Sequence, residues 1–303
     1  MSAPLPVALI DTIRARLGDR ARPGEPLARH TSFRIGGPAD LLVHPDTVAE
    51  LSHVLASAAA FGTRVSLLGG GSNVLVGDGG MRGVVVKLGR GFSRVEWDTP
   101  TIRAGAGVQL GRLARAAVAR GLAGLEYAEG IPGTVGGALF MNAGAYGGEV
   151  AHAVESVEGL GRDGVALDLA GHEVAFGYRR AALPNGFVVT AVRFRLRPDG
   201  TAGERMGAAR ARRVASQPHG RANAGSIFKN PNGDHAGRLI EVAGLKGARA
   251  GRARISERHA NFILNEGGAR AGDVKALMDV AQRVVWERSG VWLEPEVQLV
   301  GSW

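Results

Sequence analysis

The sequence has no cysteine among its 303 residues, and only 5% of them are aromatic. Disulfide bridges and thiolate metal sites are therefore excluded, which fits a reducing compartment. Apolar runs are too short to span a bilayer, and the first residues have no basic region ahead of an apolar one. We therefore predict neither a membrane helix nor a secretory signal, and we expect a cytoplasmic chain that binds no membrane.

Lysine is nearly missing as well, because 33 of the 37 basic residues are arginine; the net charge is +9. A bias toward arginine is typical of GC-rich genomes, whereas the excess positive charge indicates an anionic partner. The arginines are spread along the chain, and few aromatic side chains are present on which nucleic-acid bases could stack. We therefore favour small anionic molecules over nucleic acid as the partner. A colourless nucleic-acid-binding protein stays the alternative from a different class.

Signatures of several common enzyme classes are absent. The segment 105–111, GAGVQLG, is not a G-x-G-x-x-G fingerprint, because its third glycine comes one place late. There is also no P-loop, no G-x-S-x-G and no H-E-x-x-H. A Rossmann dehydrogenase, a nucleotide kinase, a serine hydrolase and a zinc peptidase are therefore disfavoured, and no metal is expected.

Two stretches of the sequence are rich in glycine. The stretch 129–149, EGIPGTVGGALFMNAGAYGGE, has seven glycines and carries its only two charges at its ends. The stretch 68–76, LGGGSNVLV, directly follows a predicted strand. Glycine lets another molecule approach the main chain closely, and exposed N–H groups there bind phosphates. A wide hairpin turn explains one such loop equally well, but two together predict an extended ligand with phosphates and rings.

The pattern of apolar residues predicts an α+β chain. Helices are expected at 5–18, 46–60 (capped by Asp46), 108–120, 203–215, 236–242 and 271–287, and strands at 41–43, 65–68, 84–88, 102–104, 154–160, 166–169, 187–197, 261–264 and 291–300. In the strand 187–197, apolar residues alternate with arginines, which predicts a half-buried antiparallel strand. The turn residues at 197–200 predict a domain boundary.

Three further clusters offer chemistry. Ser226 stands three residues before Lys229, so its hydroxyl is a candidate proton donor or oxyanion ligand beside a cation. Arg179 follows a Gly-Tyr pair. Glu294 and Glu296 are two apart on the last predicted strand and hence on one face. Taken singly, a turn serine, a surface arginine and an exposed acidic strand explain these residues as well.

In combination, these segments resemble the UDP-N-acetylenolpyruvoylglucosamine reductases, FAD enzymes of peptidoglycan precursor synthesis. The blocks that carry the resemblance are HTSFRIGGPA (30–39), LGGGSNVLV (68–76), GIPGTVGGALFMNAGAYGGE (130–149), GYRR (177–180), AGSIFKNP (224–231), AGLKG (243–247), SERHANFILN (256–265) and LEPEV (293–297). They follow one another over nearly the whole chain.

The resemblance implies a particular domain organisation. An FAD-binding region of the vanillyl-alcohol-oxidase type is expected at 1–199, in two α+β subdomains of about 1–95 and 96–199. A C-terminal α+β domain that binds the substrate is expected at 200–303. The last strand, about 291–300, is expected to return to the N-terminal region.

The resemblance also implies the residues of the site. Catalytic roles fall on Arg179, Ser226 and Glu296, and substrate contacts fall on Asn230, Lys246 and His259. Contacts with non-covalently bound FAD fall on Leu68, Gly69, Gly70, Gly71, Ser72, Asn73, Val74, Gly130, Ile131, Pro132, Gly133, Thr134, Gly136, Gly137, Ala138, Asn142, Gly144, Ala145, Tyr146 and Gly147.

The reaction that the resemblance implies is the reduction of UDP-N-acetylglucosamine enolpyruvate to UDP-N-acetylmuramate by NADPH through FAD. Only residues 181–186 separate the Tyr-Arg block from the next strand. The chain therefore resembles the shorter subtype of the family, which lacks an inserted loop with a substrate-binding tyrosine. Another FAD-dependent oxidase or dehydrogenase of the same fold is the alternative, and a monomer is expected.

Overall fold

The secondary structure is mixed, as predicted, in a computed structural model that describes residues 5–218 and 220–303. The helices are α1 (Val7–Leu17), α2 (Val48–Ala60), α3 (Leu110–Val118), α4 (Val135–Phe140), α5 (Ala202–Ser216), α6 (Ala236–Val242) and α7 (Ala271–Ser289). Over the ranges that the structure describes, no helix combines the length and the apolar character needed to cross a bilayer.

The strands are short, and most of them have two to five residues. They are β1 (Ala21–Pro23), β2 (Ala39–Val43), β3 (Val65–Leu67), β4 (Val74–Val76), β5 (Met81–Val86), β6 (Val95–Asp98), β7 (Thr101–Gly105), β8 (Leu122–Ala123), β9 (Gly144–Ala145), β10 (Gly148–Glu149), β11 (Val154–Leu160), β12 (Ala166–Ala170), β13 (Ala175–Gly177), β14 (Arg180–Ala182), β15 (Val188–Arg195), β16 (Arg197–Pro198), β17 (Arg249–Ala250), β18 (Ala253–Ile255), β19 (Ile263–Asn265) and β20 (Gln298–Val300).

The chain divides into two compact units. The first contains the residues up to Gly24 together with 40–70 and 83–213, and the second contains 25–39, 71–82 and 214–303. The division after residue 213 falls inside α5, whereas the sequence predicts a boundary near 200. The second unit also includes two early segments, because Phe33 and Leu75 belong to its apolar core.

One part of the first unit is a sheet in the order β1-β2-β5-β3. Strand β1 is antiparallel to β2, and β3 is parallel to β5. Helices α1 and α2 contribute Leu9, Ile13 and Leu51 to the same apolar core as Leu41 and Val84 of the sheet. Because β3 is an edge strand of this sheet, it is only partly buried, and Leu67 is exposed.

Helix α2 begins after Thr47, not at the predicted cap Asp46. The Thr47 side chain accepts a hydrogen bond from the Glu50 N–H. The Asp46 carboxylate instead lies 3.1 Å from Arg20 Nη1, and Glu50 Oε1 lies 2.7 Å from Arg20 Nη2. These hydrogen bonds from Arg20 lower the pKa of Glu50 to about 2. Asp46 was the wrong cap because its carboxylate is bound to a distant arginine.

The other part of the first unit is an antiparallel sheet in the order β12-β11-β15-β7-β6. Helices α3 and α4 and the inner face of β15 share one apolar core. The predicted alternation in β15 is confirmed, since Val192 and Phe194 are fully buried while Arg193 and Arg195 are exposed. A two-stranded hairpin, β13–β14, precedes β15 and was not predicted.

The second unit contains the antiparallel sheet β17-β18-β19 and the parallel pair β4–β20. Helices α6 and α7 pack their apolar faces into its core, with Ile240, Val274 and Leu277 among the buried residues. Regular pairing of the last strand begins only at Gln298, so β20 is shorter than the predicted 291–300. The residues before it form irregular hydrogen bonds with the Ser226 segment, as described below.

Candidate flavin-binding and catalytic residues

The two glycine-rich stretches meet in the first unit. A Cβ atom at Gly70 would lie 2.8 Å from Gly133 Cα, and one at Gly69 would lie 3.1 Å from Thr134 Oγ1. Real Cβ atoms do not approach a main chain as closely as the first of these distances, so glycine is required at Gly70. The two stretches that were predicted to bind one extended ligand therefore lie side by side.

Main-chain donors are available at the first of these stretches. Within residues 5–218 and 220–303, the N–H groups of Gly69 and Gly70 donate to no protein acceptor. The first N–H groups of α4 are engaged instead, because those of Val135 and Gly136 donate to main-chain carbonyls at 106–108. This arrangement suits a phosphate at 69–70, not at the start of α4.

The second stretch combines a short helix with a tight hairpin. The Thr134 hydroxyl accepts a hydrogen bond from the Gly137 N–H and caps α4. Tyr146 and Gly147 form the turn between β9 and β10, and both have positive φ, at 53° and 84°. Both residues of this turn are exposed, and so is Gly130. The stretch can therefore present its main chain and the ring of Tyr146 to a ligand.

Asn142 differs from its neighbours in the second stretch because it is fully buried. Its Nδ2 donates to the carbonyl of Gly177 at 3.1 Å, and its Oδ1 accepts from the N–H of Ala151 at 3.0 Å. The side chain that was expected to contact FAD therefore bonds to the protein at both ends of its amide.

Arg179 lies at the tip of the β13–β14 hairpin in the first unit. Because Gly177 pairs with Arg180, Tyr178 and Arg179 form a two-residue turn. Arg179 has a φ of 56°, which is strained for a residue other than glycine and is often found at functional sites. Its guanidinium carbon lies 5.0 Å from the centre of the Tyr178 ring, within cation–π distance.

Ser226 and Glu296 lie on adjacent segments of the second unit. The carbonyl of Ile227 accepts a hydrogen bond from the Glu296 N–H at 2.8 Å, and the Lys229 N–H donates to the Glu294 carbonyl at 2.8 Å. These bonds align the segment that follows Ser226 with residues 294–297. The structure thus brings together two of the three residues that were predicted to be catalytic.

Two asparagine side chains hold these segments. Asn261 is 3% exposed; its Oδ1 accepts from the Phe228 N–H at 2.9 Å, and its Nδ2 donates to the Phe228 carbonyl at 2.8 Å. Asn73 Nδ2 donates to the Glu296 carbonyl at 3.0 Å. The sequence assigned Asn73 to FAD and assigned no role to Asn261. The sequence does contain one indication of a buried role for Asn261, because it is the single polar residue in the apolar run ANFIL.

Lys229 was one candidate to assist Ser226 as a proton donor. Its Nζ lies 3.2 Å from Glu294 Oε2, and this ion pair directs the cation toward a carboxylate. In the part of the chain that the structure describes, the Ser226 hydroxyl makes no hydrogen bond. The arrangement therefore leaves the hydroxyl available to a ligand or to water, and it gives no support for assistance by Lys229.

His259 is half-buried and lies near Asn261 and Lys246. Its Nδ1 accepts a hydrogen bond from the Asn261 N–H at 3.2 Å, so the proton of the neutral ring is on Nε2. Burial, together with the positive charge of Lys246, lowers the pKa of His259. The neutral form of the ring is therefore favoured, and in this form it can donate a hydrogen bond through Nε2.

The other two residues expected to bind substrate flank α6. Asn230 is exposed, and its Oδ1 accepts from the N–H of Ala236 at the first turn of the helix. Lys246 Nζ lies 2.6 Å from Glu241 Oε1. All three residues that were expected to bind substrate therefore lie in the second unit and have protein partners there.

Family models match both units of this architecture. A model described as an FAD binding domain matches residues 39–170. The fold also resembles alkyldihydroxyacetonephosphate synthase, with a TM-score of 0.50 at 18% identity over 65% of this chain and 42% of that one. With the glycine-rich loops, these matches define the chain as a protein with an FAD-binding domain.

A second model, described as UDP-N-acetylenolpyruvoylglucosamine reductase, C-terminal domain, matches residues 217–300. The chain is 49% identical over 286 residues to UDP-N-acetylenolpyruvoylglucosamine reductase 2 of Symbiobacterium thermophilum, covering 93% of this chain and 92% of that one. It is 45% identical over 291 residues to the reductase of Rubrobacter xylanophilus, covering 95% and 97%. The crystal structure of the reductase from Thermus caldophilus is similar at a TM-score of 0.81 and 40% identity, over 92% of this chain and 98% of that one. The chain belongs to the UDP-N-acetylenolpyruvoylglucosamine reductase family.

The residues present fit FAD on structural grounds as well. A side chain at Gly70 would fill the space in which the two glycine-rich stretches approach each other. The N–H groups of Gly69 and Gly70, which donate to no acceptor among the described residues, suit an anionic pyrophosphate. The exposed main chain of the second stretch suits the flat surface of an isoalloxazine ring.

Proposed function

We infer that this chain reduces UDP-N-acetylglucosamine enolpyruvate to UDP-N-acetylmuramate with NADPH, in the synthesis of peptidoglycan precursors. The observation that carries this inference is the 49% identity to a reductase over 93% of the chain. FAD, when bound, supplies the transfer of hydride from NADPH to the substrate double bond. The remaining steps depend on side chains of this protein.

Three residues are proposed to act on the enolpyruvyl group. When hydride adds to the terminal vinyl carbon, negative charge develops on the neighbouring carbon and its carboxylate. Arg179 binds that carboxylate and stabilises the charge as it forms. Ser226 donates the proton that completes the saturated side chain, and Glu296 holds or polarises the intermediate from the other side. The hydrogen bond between the Ile227 carbonyl and the Glu296 N–H, next to Ser226, supports joint action of the last two residues.

The ligand-binding roles follow the glycine-rich stretches and the polar group of the second unit. Residues 68–74 hold the pyrophosphate of FAD, and residues 130–147, apart from the buried side chain of Asn142, line its ring. Asn230, Lys246 and His259 bind the substrate, with His259 acting as a neutral donor through Nε2. NADPH and the UDP-sugar are both polyanions, which explains the net positive charge without nucleic acid.

Cellular location and assembly are part of the same proposal. The cytoplasm is where both NADPH and nucleotide sugars are available, so the chain is proposed to act there. A monomer is proposed because a single chain carries every residue that has been assigned a role. Gel filtration with light scattering measures the assembly state directly.

The visible spectrum of the purified protein tests the proposed function first. The protein should be yellow, and acid precipitation should release the colour, because the flavin is not covalently attached. NADPH should bleach the spectrum, and the enolpyruvyl substrate should restore it. A colourless protein whose nucleic-acid binding weakens with salt would instead support the alternative class.

The variant Ser226→Ala tests the proton donor separately from hydride transfer. NADPH should bleach the bound flavin at the wild-type rate, whereas reoxidation by the enolpyruvyl substrate should slow by roughly 10²- to 10⁴-fold. Ser289→Ala, which removes a serine whose hydroxyl bonds to the Val285 carbonyl in α7, is the control. Reoxidation of the Ser226 variant at the wild-type rate would exclude Ser226 as the donor.

A further inference from the structure

We propose that Asn142 is a positioning residue, which fixes the main chain of the β13–β14 hairpin and thereby the guanidinium of Arg179. The inference rests on the proposed function, because it assumes that Arg179 binds the carboxylate of the substrate. It adds a residue that touches neither the substrate nor the reacting atoms.

The Asn142 amide bonds to the protein at both ends. The side chain is fully buried, and both of its polar atoms bond to main-chain groups of other segments. The Nδ2 group reaches the carbonyl of Gly177, the residue immediately before the turn that contains Arg179. The Oδ1 atom reaches Ala151, in the short turn that follows β10. One amide therefore connects three segments of the first unit.

The main chain at Arg179 is strained. A φ of 56° costs energy for a residue with a Cβ atom, and such a conformation persists only when its surroundings hold it. The ladder between β13 and β14 ends at Gly177 and Arg180, so the turn itself has no further strand pair. The hydrogen bond from Asn142 to Gly177 supplies a constraint on the turn from outside the hairpin.

Position 142 makes three demands on its residue, and asparagine meets them. Residue 142 has a φ of 39°, a left-handed conformation that asparagine tolerates better than most residues. The position also needs a donor toward Gly177 and an acceptor toward Ala151. Aspartate offers the acceptor alone when it is ionised, and alanine offers neither. Asparagine meets all three requirements.

As a consequence, Arg179 is held at a fixed position relative to the stretch 130–147, which is expected to line the flavin ring. Asn142 lies two residues after the end of α4, which belongs to this stretch. The same residue bonds to the hairpin that bears Arg179. Loss of the amide is therefore expected to leave both elements folded but to disturb their alignment, and a small displacement of a charged group lowers rates strongly.

The test compares Asn142→Ala and Asn142→Asp with Asn265→Ala in the FAD-bound protein. Asn265 is a similarly buried asparagine, whose Nδ2 bonds to the Phe33 carbonyl in the second unit. Hydrogen–deuterium exchange of the peptide 175–182 measures the hairpin independently of activity. We expect faster exchange there in both Asn142 variants and unchanged exchange in the control.

The kinetic part measures the two half-reactions in the same variants. In Asn142→Ala, bleaching by NADPH should stay near the wild-type rate, and reoxidation by the enolpyruvyl substrate should slow by about 10²-fold. In Asn142→Asp, the defect should ease as the pH falls, because a protonated carboxyl can again donate to Gly177. The double variant with Arg179→Ala should be no slower than Arg179→Ala alone, because Asn142 acts through Arg179.

The outcomes separate this inference from the proposed function. An unchanged hairpin in both Asn142 variants overturns the positioning role, whatever Arg179 does. Defects of Asn142→Ala and Arg179→Ala that multiply in the double variant also overturn it. A loosened hairpin with wild-type reoxidation in Arg179→Ala overturns the role of Arg179 and the positioning role together. If Asn142→Ala does not fold, the Asn142→Asp pH profile decides.

Discussion

The contact between the two glycine-rich stretches predicts the effect of a single methyl group. In Gly70→Ala, the new Cβ would lie 2.8 Å from Gly133 Cα and 3.5 Å from the Gly133 carbonyl carbon and the Thr134 nitrogen. The main chain at Gly70 does not have a positive φ, so alanine is sterically allowed by its own backbone. The effect of the substitution therefore isolates the contact between the two stretches.

The magnitude follows from the nature of the atoms that the methyl group meets. They all belong to main chain, which cannot rotate away as a flexible side chain does, so the stretches must separate. Overpacking of this kind costs about 1–3 kcal/mol. This strain distorts the loop that is proposed to bind FAD. The dissociation constant of FAD should therefore rise by about 5- to 150-fold.

Fluorescence titration of the FAD-free protein measures this change. The matched control is Gly207→Ala, which introduces the same methyl group in α5 at a position with no atom within 4 Å. The control should bind FAD normally and be more stable by about 0.5–1 kcal/mol, because alanine favours a helix over glycine. An affinity of Gly70→Ala within twofold of the wild type would refute the reasoning.

Two further predictions concern stability. Asn261→Ala leaves the buried N–H and carbonyl of Phe228 unpaired, at about 1–3 kcal/mol each, so urea unfolding should show a loss of about 2–6 kcal/mol. Asn185→Ala at an exposed turn is its control, and an equal loss in both variants would contradict a stabilising role of the two hydrogen bonds between Asn261 and Phe228. Glu50→Gln removes the ion pair with Arg20 and should lower the free energy of unfolding at pH 7. The loss should be only about 1–2 kcal/mol, because Arg20 is partly exposed and solvent screens the pair. Because the folded pKa of Glu50 is lowered from 4.5 to about 2, this difference should shrink as the pH falls from 4.5 to about 2. A difference that stays constant over that range would contradict the assignment.

Elements with strong periodicity were predictable from the sequence, and elements set by distant partners were not. The alternation of β15 and the apolar face of α7 reflect local patterns, so both were predicted close to their observed bounds. The cap of α2 was wrong because Arg20, far away in the sequence, binds Asp46. The β13–β14 hairpin was missed because strands of three residues are too short to show a period.

The candidate site shows the same limit. The resemblance pointed to Ser226 and Glu296, and the structure gives the hydrogen bonds between their segments. It did not indicate that Asn73 and Asn142 use their side-chain amides to bond to main-chain carbonyls. The partner of each amide lies far along the chain, and no local pattern distinguishes such an asparagine from one that binds a ligand.

The parallel pair β4–β20 has a consequence for biosynthesis. Val74 pairs with Gln298, so β4 emerges from the ribosome long before its partner exists. Until residues 298–300 are made, one edge of β4 lacks this partner, and exposed strand edges invite pairing with other chains. Completion of the second unit therefore has to wait until residues 298–300 have been made, and a nascent chain halted before residue 298 should depend on chaperones to stay free of aggregates.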